Sequence, residues 1–355
     1  MPFQRFTTHR ESVQAVSIFA TLCCLCLLAQ TTTAQQPPSS PPDDHPYTLH
    51  VYTRLIQMPT LVLSHNRTEL PPIDPEKFNI SIDSGPRFHA THIRREGDDP
   101  ITLAILVDVR RDESELLPAF SRAFSAWISA SLKPQDHISI YAIDCAMLET
   151  SAYVPANSAT LQQDLDTAIS SPKTHRDKAG SPCSLHLWDS VAIAMQQIST
   201  LPGRRVLLAV SDGYDADSRT KPSDIRSIAT NDAVTIFGLT NPTSIYVPQE
   251  MAFHSLVQSS GGIYLETPSN KLPAALASFV SMLRGRYILE FPTPANPTAG
   301  RHDIHVTIDH TSAFITTSGL TVPLPNPSVE ENPLTIHNDN PDAPIIGNHK
   351  PTPNF

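Results

Sequence analysis

Two aspartates stand at the ends of apolar segments that are typical of buried strands. Asp108 ends the segment Ile-Thr-Leu-Ala-Ile-Leu-Val-Asp, and Asp212 ends Arg-Val-Leu-Leu-Ala-Val-Ser-Asp. Strands of a parallel sheet are buried on both faces and read as continuous apolar runs. Their carboxyl ends meet at the edge where open α/β sheets bind ligands. A carboxylate there is costly unless a metal ion, an arginine or backbone N–H groups pair with it, so we expect both side chains in one binding site.

Two further aspartates extend this predicted binding edge. Asp144 ends the strand-like segment His-Ile-Ser-Ile-Tyr-Ala-Ile-Asp, and Asp215 follows Asp212 in the same loop. Other chemistries have little support in the sequence, which has no HExxH motif, no C-x₂-C pair outside the apolar run 13–29, no G-x-S-x-G elbow and no Walker or G-x-G-x-x-G loop. We therefore expect no catalysis, with a hydrolase as the alternative of another class.

Strand-like and helical patterns alternate around these residues. The strand-like segments are 101–108, 137–144, 205–212, 234–239 and 263–266, and the segments with helical spacing are 114–132, 160–170, 186–200, 223–231, 249–260 and 272–283. This alternation predicts βαβ units. Residues 99–285 are therefore predicted to form a doubly wound α/β domain with a mainly parallel sheet.

Shorter segments flank the predicted α/β domain. Residues 47–98 contain short alternating runs and predict a small β module, and residues 286–322 predict a β extension. Residues 35–46 are a linker rich in Pro and Ser. Residues 323–355 are rich in Pro and poor in large apolar side chains, so we expect a disordered tail.

Residues 1–34 have the features of a secretory signal peptide. Arg5 and Arg10 precede the apolar run 13–29, and small residues precede Gln35. The run is short for a membrane span, although a transmembrane anchor is the alternative. We expect an exported protein, secreted or periplasmic, with no membrane span after cleavage.

The chain is acidic, and two of its cysteines lie outside the predicted signal peptide. The formal charge of −10, together with the lack of a basic stripe, argues against nucleic acid as a partner.

Cys145 and Cys183 form either a disulfide, as an oxidising compartment permits, or two separate buried thiols.

Several motifs, in this order, resemble a von Willebrand factor type A domain. They are apolar strands ending in aspartate, a helix opening with Leu187-Trp-Asp-Ser-Val, and the segment Val210-Ser-Asp-Gly-Tyr-Asp. The flanks sharpen the resemblance, because Phe78-Asn-Ile-Ser-Ile-Asp-Ser-Gly and Arg286-Tyr-Ile-Leu are similar to segments of the acidobacterial type of von Willebrand factor type A-related proteins. The resemblance covers residues 47–322 and implies a role in adhesion or protein interaction.

The resemblance also implies a metal site, which this sequence retains only in part. The family's site joins a D-x-S-x-S loop, a threonine and a second aspartate around Mg²⁺. Asp108 and Asp212 match the aspartates, but Arg110 and Asp112 replace the serines, and Leu185 lies near the threonine position. A guanidinium beside the carboxylates repels a cation and can take over its electrostatic role. We expect no metal. The alternative is an altered Mg²⁺ or Ca²⁺ site whose ligands are Asp108, Asp112 and Asp212.

These features predict an exported protein-binding module with a degenerate metal-ion-dependent adhesion site, no cofactor and an unidentified protein partner. The expected binding edge consists of Asp108, Arg110, Asp112, Asp144, Leu185, Asp212 and Asp215. The alternative is a metal-dependent adhesion domain that captures an acidic residue of its partner through Mg²⁺ or Ca²⁺.

Overall fold

The computed structural model describes residues 55–110, 115–144, 146–170, 186–215, 218–242, 248–294, 298–322 and 341–348. The chain divides into the units Met1–Leu49 and His50–Phe355, and all of these residues belong to the second. Within them, the strands are β1 (Leu55–Ser64), β2 (Phe78–Ile82), β3 (His92–Arg95), β4 (Ile101–Asp108), β5 (His137–Ile143), β6 (Met147–Pro155), β7 (Arg204–Val210), β8 (Val234–Thr240), β9 (Tyr264–Glu266), β10 (Tyr287–Pro292), β11 (Gly300–His302), β12 (Ile304–Ile308), β13 (Ala313–Thr317) and β14 (Leu320–Val322). The helices are α1 (Leu116–Ser131), α2 (Leu161–Ser170), α3 (Leu187–Ser199), α4 (Pro222–Asn231), α5 (Pro248–Ser259) and α6 (Leu272–Gly285).

A six-stranded sheet with the order β6-β5-β4-β7-β8-β9 lies at the centre of the structure. Five of its strands run in parallel, and β6 pairs antiparallel with β5 at one edge. This confirms the predicted α/β class with a mainly parallel sheet. The sequence pattern does not predict β6, because Ser151 alone among its residues is buried and such an edge strand has little alternating apolar signal.

Strand β4 is covered on both faces. Leu103, Ile105 and Val107 belong to a core that includes side chains from α1, α2 and α6. Ala104 and Leu106 belong to a second core, with side chains from α3, α4 and α5. Burial on both faces explains why β4 is apolar from Leu103 to Val107, and it fixes the point at which Asp108 leaves the core.

The two flanking β segments pair with each other. Strand β1 pairs antiparallel with β10 and β13, β10 also pairs with β3, and β2 pairs with β12. The sequence pattern indicates two separate β segments, residues 47–98 and 286–322. In the structure both segments contribute strands to the same sheets. Their apolar side chains form a third core that contains Phe78, Ile80 and Phe291.

Part of the C-terminal segment packs on this third core. The Gly347 N–H donates to the Ile82 carbonyl at 3.0 Å, and the side chain of Ile346 contacts the core. Residues 341–348, which belong to the predicted disordered tail, thus contact the flanking strands through the aliphatic side chain of Ile346 and the backbone of Gly347.

The predicted signal peptide and the linker lie outside the described residues, as do the rest of the tail and Cys145 and Cys183. Among the helices that the structure describes, none combines the length and the apolar character that crossing a membrane requires.

A buried ion pair joins the flanking sheet to the central sheet. Arg286 is 1% exposed, and its Nε and Nη2 atoms donate to the two carboxylate oxygens of Glu96 at 2.7 and 2.8 Å. Its Nη1 atom donates to Thr235 Oγ1 in β8 at 2.9 Å. Glu96 follows β3 and Arg286 precedes β10, so this contact fixes both strands against the amino-terminal half of β8.

Replacing Glu96 with leucine should be strongly destabilising. The substitution leaves the Arg286 guanidinium buried without a counter-charge, which costs about 3–5 kcal/mol. The control is Arg94→Ala, because Arg94 and its partner Asp99 each have 32% of the side chain exposed, and such pairs contribute about 1 kcal/mol or less. Urea denaturation measures both free energies of unfolding. Equal losses in the two variants would contradict the structural importance of the buried pair.

Candidate functional site

The parallel register of β4 and β7 places Asp108 beside Ser211. Val107 pairs with Val210, the last residue of β7. The Ser211 N–H continues the ladder by donating to the Leu239 carbonyl at 3.1 Å. Asp108 is 3% exposed, as is Ser211, so both side chains lie in the protein interior at the carboxyl edge of the sheet.

Arg110 forms a bidentate ion pair with Asp108. Its Nε atom donates to Oδ1 at 2.8 Å and its Nη2 atom donates to Oδ2 at 2.6 Å. The Arg110 side chain is 7% exposed, so water screens the pair little. The sequence left open whether this guanidinium folds onto the carboxylates or extends into solvent, and in the structure it folds onto Asp108.

The acceptor capacity of Asp108 is filled by these contacts and two more. The Arg110 backbone N–H lies 3.3 Å from Oδ1, and the Ser211 hydroxyl donates to Oδ2 at 3.0 Å. A carboxylate has about four lone-pair sites, and each of the four donors occupies one. A divalent cation at Asp108 would have to displace a fixed positive group, so this arrangement does not fit a metal.

Sequence reasoning missed the role of Ser211. Its Oγ atom accepts from the Gly213 N–H at 3.1 Å, which leaves its own proton for Asp108. Gly213 has φ +78°, and a Cβ atom there would lie 2.9 Å from Cβ of Phe253. The turn thus requires glycine, and it holds the serine hydroxyl in the orientation that Asp108 needs.

The two aspartates after β7 stabilise the local backbone. Asp212 Oδ1 accepts from the Tyr214 N–H at 2.9 Å. Asp215 Oδ1 accepts from the N–H groups of Leu187 and Trp188 at 2.7 and 3.3 Å. The first N–H groups of a helix have no partner within the helix, so Asp215 acts as a cap for α3 from a distant point of the chain.

Asp189, in the first turn of α3, anchors the loop that leads to α4. Its Oδ1 atom accepts from the Thr220 N–H at 2.8 Å and from the Thr220 hydroxyl at 2.6 Å, and its Oδ2 atom accepts from the Arg219 N–H at 3.2 Å. Burial alone would raise the pKa of Asp189, but the hydrogen bonds from Thr220 and Arg219, with the charge of His186, lower the pKa below its ordinary value.

The remaining predicted site residues divide into two groups. Asp144 is described and follows β5 at the same edge of the sheet, where its N–H donates to the Ala146 carbonyl at 3.1 Å. Asp112 and Leu185 lie outside the described residues. Within the part of the chain that the structure describes, no group of three His, Cys, Asp or Glu residues could hold a metal ion.

One nitrogen of the Arg110 guanidinium differs from the other two in its contacts. Arg110 Nη1 is buried and has no hydrogen-bond partner among the described residues. A buried donor without an acceptor costs about 1–3 kcal/mol. Both N–H groups of Nη1 therefore have no acceptor among the described residues, while Nε and Nη2 each donate to Asp108.

No protein-family model matches the sequence, and the search of curated proteins finds no match. The solved structures that the chain is similar to include the vWF domain of the type V pili tip protein Mfa5 from Porphyromonas gingivalis, with 9% identity over 52% of this chain and 95% of that one and a TM-score of 0.38. They also include BatB from Bacteroides thetaiotaomicron, with 12% identity over 52% of this chain and 98% of that one and a TM-score of 0.38. A third is proximal thread matrix protein 1 from the mussel byssus with a zinc-occupied MIDAS motif, with 10% identity, 57% and 50% coverage and a TM-score of 0.41. The chain thus spans half of the mussel protein, and the neighbours include vWF-domain and MIDAS-type proteins.

Replacing Asp189 with asparagine should cost stability at neutral pH and little in acid. A lowered pKa means that the folded state favours the carboxylate, so this contribution is present above the unfolded pKa of about 3.9 and is lost as the pH falls through the lower folded pKa. We expect the variant to lose about 1 kcal/mol at pH 7. Denaturation at several pH values should show its difference from wild type shrinking below about pH 4.

Thr220→Val is the matched variant, because it removes one donor to Asp189 and keeps the carboxylate. It should give a smaller loss with the same pH dependence. A loss in Asp189→Asn that is equal at neutral and acid pH would contradict the assignment.

Proposed function

We propose that the chain is an exported protein-interaction module that recognises its partner at the carboxyl edge of a doubly wound, von Willebrand factor type A-like domain. The observation that carries this proposal is the ion pair between Asp108 and Arg110. The chain itself supplies the positive charge that the buried carboxylate needs, so the edge requires no metal at Asp108. The loops after β4, β5 and β7 then form the binding surface.

Arg110 gives this surface a specific means of recognition. Its Nη1 atom is buried and has no acceptor among the described residues, so an oxygen of the partner, either a carboxylate or a carbonyl, would satisfy it once binding opens access to this atom. Arginine suits the task because its planar group can hold one carboxylate in bidentate geometry and still donate to another oxygen. Binding would therefore gain a charge-assisted hydrogen bond at a position that water reaches poorly.

The proposed mechanism involves no bond chemistry. Ser211 donates its hydroxyl to Asp108, whereas a nucleophilic serine requires an adjacent general base. The lone pairs of Asp108 are already engaged, three by Arg110 and one by Ser211. This arrangement favours recognition over hydrolysis.

The second candidate is a metal-dependent adhesion domain with Asp108, Asp112 and Asp212 as ligands. It requires Arg110 to leave Asp108 and a cation to take its place. The match of the two aspartates to the family's positions favours it, and the four filled acceptor sites of Asp108 count against it.

Added Mg²⁺ or Ca²⁺ should leave the melting temperature of the wild-type protein unchanged. Arg110→Ser should behave differently, because it leaves the buried Asp108 unpaired and restores a hydroxyl ligand. We expect this variant to lose about 3–5 kcal/mol of stability and to recover part of it when either metal is added. Thermal denaturation with and without metal measures both effects.

Arg94→Ser is the control, because it removes a guanidinium from a partly exposed pair and should not acquire a response to metal. A metal-dependent rise in the melting temperature of the wild type that disappears in Asp108→Ala would establish the metal-dependent alternative.

Partner capture should depend on the carboxyl edge of the sheet. We expect Asp144→Lys, which reverses a charge after β5, to reduce the recovery of a specific partner from secreted or periplasmic extracts. Asp98→Lys makes the same change near the amino end of β4 and should have no effect. Quantitative mass spectrometry of the proteins retained by each immobilised variant measures the difference, and equal recovery would count against this surface.

A further inference from the structure

The C-terminal segment occupies a defined place on the β strands. The Gly347 N–H donates to the Ile82 carbonyl at the end of β2 at 3.0 Å. Ile346 packs on the third core, Pro344 is buried and Ile345 is 62% exposed. The segment is therefore held by one backbone hydrogen bond and by alternate apolar side chains, as an extended peptide is held on a strand.

Two glycines allow the two backbones to approach closely. A Cβ atom on Gly85 would lie 2.7 Å from both the Gly347 nitrogen and the Ile345 oxygen. A Cβ atom on Gly347 would overlap the Asp83 carbonyl oxygen and the Gly85 nitrogen. Neither glycine needs a positive φ here, so the requirement concerns space, and any larger residue on either side would separate the surfaces.

The turn that receives the segment is fixed by residues outside the segment. Asp83 and Ser84 have φ values of 48° and 60°. The buried Asp83 carboxylate lies 2.6 Å from His302 Nδ1 and accepts from the Asp303 N–H at 2.8 Å. His302 Nε2 lies 2.8 Å from the Thr298 carbonyl. These contacts hold the turn in the conformation that presents Gly85, so the receiving surface is preorganised.

We propose that the turn formed by residues 82–85 is a peptide-binding site whose ligand is an extended Pro-aliphatic-aliphatic-Gly segment, supplied within the same chain by residues 344–347. The two are connected through residues 323–340, 287–322 and the central domain, so binding is an intramolecular event. A free peptide of the same sequence must compete with this tethered ligand. The site accepts the free peptide once the tethered segment is prevented from docking.

A labelled peptide with the sequence of residues 341–348 tests this proposal on the full-length chain. Gly347→Ala prevents the tethered segment from docking and leaves the turn intact. We expect this variant to bind the peptide saturably with one-to-one stoichiometry, and the wild type to show an apparent affinity weaker by on the order of 100-fold. A peptide carrying alanine in place of its glycine should bind neither protein. Fluorescence anisotropy measures all four combinations.

Gly85→Ala and Gly285→Ala are the controls for the receiving surface. Gly85→Ala should not bind the peptide and should lose the hydrogen-exchange protection of the Gly347 amide, which donates to the Ile82 carbonyl. Gly285→Ala places a Cβ atom 3.9 Å from its nearest neighbour and should keep that protection. Equal peptide affinity in the wild type and Gly347→Ala would overturn the proposal. So would the absence of binding to Gly347→Ala at millimolar peptide when its hydrogen exchange elsewhere matches the wild type.

Discussion

The charge of a carboxylate at the end of a fully buried strand is the constraint on which the binding edge depends. Asp108, at the end of β4, is buried, so its carboxylate loses the solvation that water would give it. The chain meets this constraint with Arg110, two residues later, and with the Ser211 hydroxyl from the neighbouring strand. The turn after β7 follows from the same need, because Ser211 is oriented by the N–H of Gly213 and Gly213 is required by the close approach of Phe253.

The central sheet could be predicted because its signals are local. The apolar runs ending at Asp108 and Asp212 indicate strands buried on both faces, and the parallel register then brings their ends together. The contacts of Arg110 could not be predicted, because one arginine near two carboxylates can pair with either or extend into solvent. The other donor to Asp108, the Ser211 hydroxyl, is distant in the sequence. The role of Asp215 as a cap for α3 could not be predicted either, because Asp215 is far from Leu187 in the sequence.

The flanking segments show a different limit of sequence reasoning. Alternation identifies a strand and its buried face, but it does not identify the partner strand. The pairing of β1 with β10 and β13 joins parts of the chain on opposite sides of the central domain. Periodicity therefore predicts the fold of the α/β domain. It does not predict that the two β segments pair with each other, which only the structure shows. The contact of Ile346 and Gly347 with the third core was hidden because a Pro-rich composition says nothing about one short apolar anchor.

The pairing of β1 with strands from the far end of the domain also has a consequence for folding. Strand β1 precedes the central sheet in the chain, whereas its partners, residues 287–292 and 313–317, follow the whole of it. Contacts between residues so far apart in the sequence form slowly, because the entropy of closing a long loop is lost before the contacts can stabilise the chain. Until then β1 is an unpaired edge whose buried residues include Leu61 and Leu63, and such edges associate with other chains. We therefore expect the risk of aggregation to be greatest after the α/β domain has formed and before β1 has paired with its partner strands.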